Sequence, residues 1–441
     1  MNKTVIVVLA LAVGLAAGIP VGGWLMPAAP EEAAEAPAAG FAAVPGSIGN
    51  LDLFGAYDVV PDWPQNVSEL PGHEAWTFGA AQSIFAENPD RVYLVSRGEL
   101  PNLPRPQARL FRDEVGPSVF YPVGGLPWRS ATQTALPGAG GTGGDPARGL
   151  EIWRGNAPPY RELGVDARWE HCLLVVNRDG QIIEEWTQWD KIFKRPHSVY
   201  ISPYDPEKHV WVVDDHMHAI YKFTNDGSQL VQTIGTPEVP GADGTHFNRP
   251  TFMAWGPDGS FYVADGYNGT RTAKFDADGN FLLDWGERGE PGGNETRPGY
   301  WNNVHGVAVD TETGRVFVND RGNRRIQIFD ANGQYLSEWS FATRQSSIHL
   351  IQIGQDGHIV AFDQGTQKML KFDLDGRLIY SWGTAADLPG SLWGVHGIAT
   401  DQDGNLYTAE VNAGRFQKFT PRAGANPDYL VGKPIYSAWQ Q

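Results

Sequence analysis

The stretch RPHSVYISPYDPEKHVWVVDDHMHAIYKFTNDGSQLVQTIG, residues 195 to 235, decides the fold. It holds four short runs of alternating apolar and polar residues: His197 to Ile201, Val210 to Asp214, Ile220 to Phe223 and Leu230 to Ile234. A period of two marks strands, and Asp226-Gly227 between the last two runs is the sequence of a tight hairpin. The unit returns as Arg249-Pro-Thr251, Phe261-Tyr-Val-Ala-Asp265, Ala273-Lys-Phe275-Asp-Ala-Asp278-Gly279 and Phe281-Leu-Leu-Asp-Trp285-Gly286. Further copies begin at Asn303-Val-His305-Gly, Ser347-Ile-His349-Leu and Gly394-Val-His396-Gly. Phe223-Thr-Asn-Asp-Gly, Phe275-Asp-Ala-Asp-Gly, Phe329-Asp-Ala-Asn-Gly and Phe372-Asp-Leu-Asp-Gly repeat one turn. A four-stranded unit recurring at roughly 45–55 residues points to a propeller, each unit one blade.

A split first copy precedes these: Ser83-Ile-Phe85, Val92 to Arg97, then Cys172 to Gly180 and Glu184-Glu-Trp186, with a Pro- and Gly-rich insertion at about 99–169. The expectation is an all-β, six-bladed β-propeller occupying residues 46–441. Gly138-Ala-Gly-Gly-Thr-Gly-Gly144 in the insertion is no phosphate loop, because no Gly-Lys-Ser/Thr follows it. The wealth of turn formers and aromatics, 53 Gly, 32 Pro, 16 Trp, 15 Tyr and 20 Phe, suits such a fold. A net charge of −17 without any basic run argues against nucleic acid as a partner. Cys172 is the single cysteine, so no intrachain disulfide forms and a metal must be held by His and carboxylates.

Residues 1–26 are apolar after Lys3, and 27–45 form an Ala/Pro/Glu tether carrying Glu31, Glu32 and Glu35. The first segment reads as a transmembrane anchor or a cleaved signal peptide. On either reading the body is exported, periplasmic or extracellular, and only this segment meets a membrane.

Strand direction fixes which residues meet. In an up-and-down blade, the start of strand one and the loop between strands two and three lie at the same end, around the channel mouth. His197, His305, His349 and His396 share one first-strand position in blades two, four, five and six, where blade three has Thr251. Blades two, four and six stand about 120° apart in a six-bladed ring, so His197, His305 and His396 are expected to hold one divalent metal and leave a position open. Imidazole suits Zn2+ and equally admits Fe, Cu or Ni. His349 breaks the threefold spacing and is expected to touch substrate or pack. The loops add Arg97, Asp214-Asp215-His216-Met217-His218, Tyr267, Arg321, Asp363 and Glu410 to the same face, with His218 a weaker substrate-contact candidate. For Arg97 and Arg321 an ion pair with Asp320 or Asp363 is the competing structural reading.

Arg195-Pro-His197-Ser-Val, His246-Phe-x-Arg-Pro-Thr251, Ala264-Asp-Gly-Tyr267-Asn-Gly-Thr-Arg271, Trp285-Gly-Glu287, Val304-His305-Gly-Val-Ala, Asp320-Arg321-Gly-Asn-Arg-Arg325 and Val395-His396-Gly-Ile together resemble the NHL-type propeller of the peptidyl-α-hydroxyglycine α-amidating lyases. The resemblance runs from about Val92 to Arg422, apart from the insertion. It implies zinc on His197, His305 and His396, Tyr267 as base, and Arg321 with Arg97 at the carboxylate of a peptide C-terminal or small-molecule substrate. The implied reaction is that of a carbon–nitrogen lyase, which cleaves an α-hydroxyglycine carbinolamide to an amide and glyoxylate. Three positions depart from the family pattern. Gly397 stands where the family's calcium ligand is an Asp, which speaks against Ca2+; Asn268 replaces a cysteine; and no copper-monooxygenase sequence stands before the propeller in these residues, so the hydroxylated substrate is expected from elsewhere. Two other functions fit the same fold: a metal-dependent hydrolase or lactonase, and a non-enzymatic NHL-repeat binding scaffold.

Overall fold

The computed structural model describes residues 52–104, 131, 167–290, 295–341, 346–436 and 439. The segments 1–26 and 27–45 and most of the insertion lie outside the described residues. Among the described residues no helix is long and apolar enough to cross a membrane.

Six four-stranded antiparallel sheets form the propeller. Blade one is β2 (Trp76–Asn88), β3 (Arg91–Pro101), β4 (Leu173–Val176) and β5 (Ile182–Glu185). Blade two is β6 (Pro196–Ile201), β7 (Val210–Asp214), β8 (Ala219–Phe223) and β9 (Leu230–Ile234). Blade three is β10 (Pro250–Trp255), β11 (Phe261–Asp265), β12 (Arg271–Phe275) and β13 (Phe281–Trp285). A two-stranded parallel ribbon, β14 (Glu287–Arg288) with β15 (Tyr300–Trp301), leads into blade four: β16 (Val304–Val309), β17 (Val316–Asp320), β18 (Arg325–Phe329) and β19 (Tyr335–Ser340). Blade five is β20 (Ile348–Ile353), β21 (Ile359–Asp363), β22 (Lys368–Phe372) and β23 (Leu378–Trp382).

Blade six takes only three strands from the C-terminal part of the chain, β24 (Val395–Thr400), β25 (Leu406–Glu410) and β26 (Arg415–Pro421). Its outer strand is β1 (Tyr57–Val59), which pairs antiparallel with β26 and fastens the start of the described chain to its end. The repeat pattern does not reveal this strand, because three residues carry no turn signature of their own.

The cores lie between consecutive blades: Tyr93, Val95, Leu173 and Val175 of blade one pack with Val199, Val210, Val212 and Phe223 of blade two. The recurring Trp and Asp-Gly pieces explain each other. Trp186, at the end of blade one, covers the turn of blade two so closely that a Cβ on Gly227 would stand 2.3 Å from its ring. Gly227 also has φ 66°, a region that costs other residues energy. Gly55 meets Trp382 in the same way at 2.6 Å, so the closing strand reproduces the contact made within the repeats.

Candidate metal centre and active site

In every blade the innermost strand slips register at one place: between Ala81 and Ser83, Pro196 and Ser198, Pro250 and Met253, Val304 and Gly306, Ile348 and Leu350, and Val395 and Gly397. A bulge leaves one residue unpaired and re-aims its side chain. Here the bulged residues are Gln82, His197, Thr251 with Phe252, His305, His349 and His396. The imidazole centroids of His197 and His396 are 4.5 Å apart, and His305 lies 5.4 Å from each. One ligand nitrogen from each of these three buried rings falls within 4.8 Å of the others. His349 stacks on His305 at 5.4 Å but contributes no atom to that group. Thr251 serves the fold, its Oγ1 donating toward Ala264 O (2.9 Å) and His305 O (2.8 Å). Phe252 floors the site, 5.0, 5.3 and 5.4 Å from the rings of His197, His305 and His396.

The bonds behind the rings choose their tautomers. His305 Nδ1 donates to His349 O at 2.5 Å and His396 Nδ1 to Gln82 O at 2.9 Å, which leaves Nε2 with the lone pair in both. Burial, then Arg321, holds His305 well below the ordinary histidine range, and burial with His396 and Arg97 does the same for His197. Burial, together with Arg97 and Arg321 and against the Gln82 bond, brings His396 down to about 3. Neutral imidazoles are the form that binds a metal.

Tyr267, in the loop after β11, places its hydroxyl 3.1 Å from His197 Nε2 and 2.9 Å from His305 Nε2. Three guanidinium groups lie against its ring: Arg249 at 4.6 Å, and Arg195 and Arg321 at 5.6 Å from the centroid. Arg97 closes the group, its Nη2 donating to Gln82 Oε1 at 2.6 Å, and burial followed by Arg195 pushes its guanidinium down. Against these four cations stands Asp215, which accepts from Arg249 Nε (3.0 Å) and Nη2 (2.6 Å) and lies 3.5 Å from Arg195 Nε. Burial raises the Asp215 carboxyl, but Arg195 and Arg249 outweigh it and hold it far below the usual range. In a chain of net charge −17 the mouth of the axis is thus locally cationic.

The ion pairs considered for Arg321 are not made. Asp320 is occupied by Arg325 Nε (2.9 Å), Asn302 N (2.8 Å) and Asn323 Nδ2 (2.8 Å), and Asp363 binds Ser347 N, Gly365 N and Thr366. Asp363 and Glu410 tie the end of a second strand to the loop entering its own blade, Glu410 through Trp393 N at 2.8 Å. His218 Nδ1 accepts from Arg249 N at 3.1 Å, behind that arginine. Gly397 cannot take a side chain, since a Cβ there would stand 2.7 Å from Ser83 Cα.

Three lone-pair nitrogens face one hydroxyl donor, and a single O–H cannot satisfy all three. A divalent cation can, so the donor set fits a metal. Sequence reasoning did not single out Arg195, Arg249, Asp215 or Gln82. The Arg-Pro pair before the bulge in blades two and three was the available signal.

Comparison with known proteins agrees with this geometry. No protein-family model matches the chain. It is 28% identical over 279 residues to peptidyl-alpha-hydroxyglycine alpha-amidating lyase 1 of Drosophila melanogaster, covering 58% of this chain and 49% of that protein. It is 28% identical over 274 residues to NHL repeat-containing protein 3 of Mus musculus, covering 58% of this chain and 75% of that one. The chain is an NHL-type, amidating-lyase-like propeller. A third relative is peptidyl-glycine alpha-amidating monooxygenase B of Xenopus laevis, 28% identical over 285 residues, 62% of this chain. The lyase-like propeller spans only 32% of that protein's length.

Proposed function

We propose that this propeller is a metal-dependent lyase that cleaves an α-hydroxyglycine carbinolamide into an amide and glyoxylate. The observation that carries the reading is the Tyr267 hydroxyl, 3.1 and 2.9 Å from two lone-pair imidazole nitrogens and ringed by guanidinium groups. A base, a metal-ligand set and an anion-binding group meet at one point.

His197, His305 and His396 hold the metal, of which Zn2+ is the natural choice for three imidazoles. When bound, it supplies Lewis acidity toward a substrate oxygen. Arg97 and Arg321 take the substrate carboxylate, for which the planar fork of a guanidinium is shaped. A bound carboxylate also relieves the surplus of buried positive charge, which Asp215 alone does not balance. Tyr267 removes the hydroxyl proton. The O–H electron pair becomes the carbonyl of glyoxylate, the C–N bond breaks, and the amide nitrogen leaves with a proton, so no co-reactant is consumed. Phe252 and the buried rings keep bulk water from one side of the reacting carbon.

The test is glyoxylate and benzamide release from N-benzoyl-α-hydroxyglycine by metal-loaded protein. The two products should appear in equal amounts. Turnover of lactones or esters without glyoxylate release would support the hydrolase reading instead.

A further inference from the structure

A second group of metal-ligating side chains lies away from the axis, at the root of the insertion in blade one. His73 precedes β2, Glu99 stands near the end of β3, and Glu170 and His171 lie just before β4. One ligand atom from each of the four residues falls within 4.8 Å of all the others. We infer that His73, Glu99, Glu170 and His171 form a second divalent-metal site, of the zinc class, that clips together the two ends of the segment leaving and re-entering blade one.

The group is built by backbone that holds it in place. Glu99 and Arg168 exchange backbone bonds, Glu99 N to Arg168 O at 2.8 Å and Arg168 N to Glu99 O at 3.0 Å. His171 has φ 57°, a conformation unfavourable for a residue with a side chain. The Asp190 carboxylate fixes it there by accepting from His171 N at 3.0 Å and Cys172 N at 2.9 Å. Residues held in such conformations by their surroundings cluster at functional sites. The rings of His73 and His171 meet edge to face at 4.6 Å.

The donors converge on one carboxylate. Glu99 is fully buried, and its two oxygens face the Nδ1 atoms of different rings, His73 at 2.9 Å and His171 at 2.6 Å. Among the described residues no Lys or Arg pairs with it, a costly position for a buried charge. Behind His171, Nε2 lies 2.9 Å from Glu185 Oε2. That is the carboxylate–histidine arrangement that orients a metal-binding ring, with Nε2–H donated outward and Nδ1 turned to the ion. Glu170 Oε2 is 3.5 Å from His73 Nε2 and reaches the group from solvent, which gives the ion a way in. A neutral imidazole has one N–H and a carboxylate none, so three carboxylates around two rings leave more lone pairs than donors. A cation at their centre removes that excess. Arg168 sits at the rim, bonded to Gly72 O and stacked on Trp76, with Nη1 3.4 Å from His73 Nδ1. Two nitrogens and two carboxylates with no open position describe a structural site, not a catalytic one.

This site shares no residue with the axial one, so the two can be counted separately. The purified chain, saturated with zinc and passed through gel filtration, is assayed for bound metal. Wild type should retain about two zinc ions per chain and His73→Ala about one, since a structural site rarely survives loss of a ligand. His305→Ala, which empties the axis, should also retain about one, and Co2+ in that variant should show the intense visible bands of a four-coordinate site. Glu185→Gln should weaken the remaining site by about 10–100-fold. Wild type that keeps a single ion, or His73→Ala that keeps as many as wild type, would overturn the inference. Because His73 lies in a loop outside the blade sheets, its removal leaves the fold available for the measurement.

Discussion

Replacing Tyr267 by Phe removes one oxygen and leaves the ring beneath the guanidinium groups of Arg195, Arg249 and Arg321. The lost contacts are those to Nε2 of His197 and His305. Loss of a general base lowers turnover by about 10²–10⁴, equivalent to about 3–5 kcal/mol in the barrier. The stability cost is smaller, because a neutral hydrogen bond contributes about 0.5–1.5 kcal/mol. At about 2–4 °C per kcal/mol for a domain of a few hundred residues, the melting temperature should fall by no more than about 6 °C. The assay is glyoxylate release at saturating substrate, beside metal content and thermal unfolding of the same samples. A variant that stays folded and metallated and keeps more than half the wild-type turnover would refute the assignment of Tyr267 as base.

Three further outcomes are expected. His197→Ala, His305→Ala and His396→Ala should each empty the axial site, whereas His349→Ala should keep it; because burial holds the three ligands below the usual range, axial metal should persist at pH 5, where ordinary histidines are mostly protonated. Elemental analysis checks both, and metal lost near pH 6.5 would contradict the neutral-ligand argument. Arg321→Ala should raise KM for substrates with a free carboxylate by about tenfold or more, and barely affect carboxamide-capped ones, since a hydrogen bond to a charged group contributes about 1.5–3 kcal/mol; steady-state kinetics on both substrates decides it. A chain starting at Gly46 should unfold like the full-length protein, whereas one starting at Pro61 loses β1 and the buried Tyr57, whose hydroxyl accepts from Val431 N at 2.7 Å; thermal melts should show a loss of about 3–5 kcal/mol, as for removal of a large buried aromatic.

The blades were legible because each carries its own signal: alternating runs, then Phe-x-x-Asp-Gly or Phe-x-x-Asn-Gly, all within about 50 residues. The three axial histidines were legible for the same reason, since a repeat turns a sequence position into an angle around the axis. Features that join distant or non-repeating residues were not. β1 is three residues long and pairs with a strand at the other end of the chain. Arg195 and Arg249 were visible only as neighbours of Pro, with nothing to show that both would lean on Tyr267. Asp363 and Glu410 were placed on the correct face but not in their structural role, because a carboxylate that binds backbone N–H groups looks in sequence like one that faces a ligand. His73, Glu99, Glu170 and His171 come from three separated stretches, and their convergence requires the fold.

The central claim is that the axial histidines and Tyr267 form the working site of an amidating-lyase-like enzyme. The most direct measurement is glyoxylate release from N-benzoyl-α-hydroxyglycine by protein stripped with a chelator and then reloaded with zinc. The account predicts release that disappears on stripping, returns on reloading, and is matched mole for mole by benzamide. Protein that is fully metallated on the axis and releases no glyoxylate would contradict it.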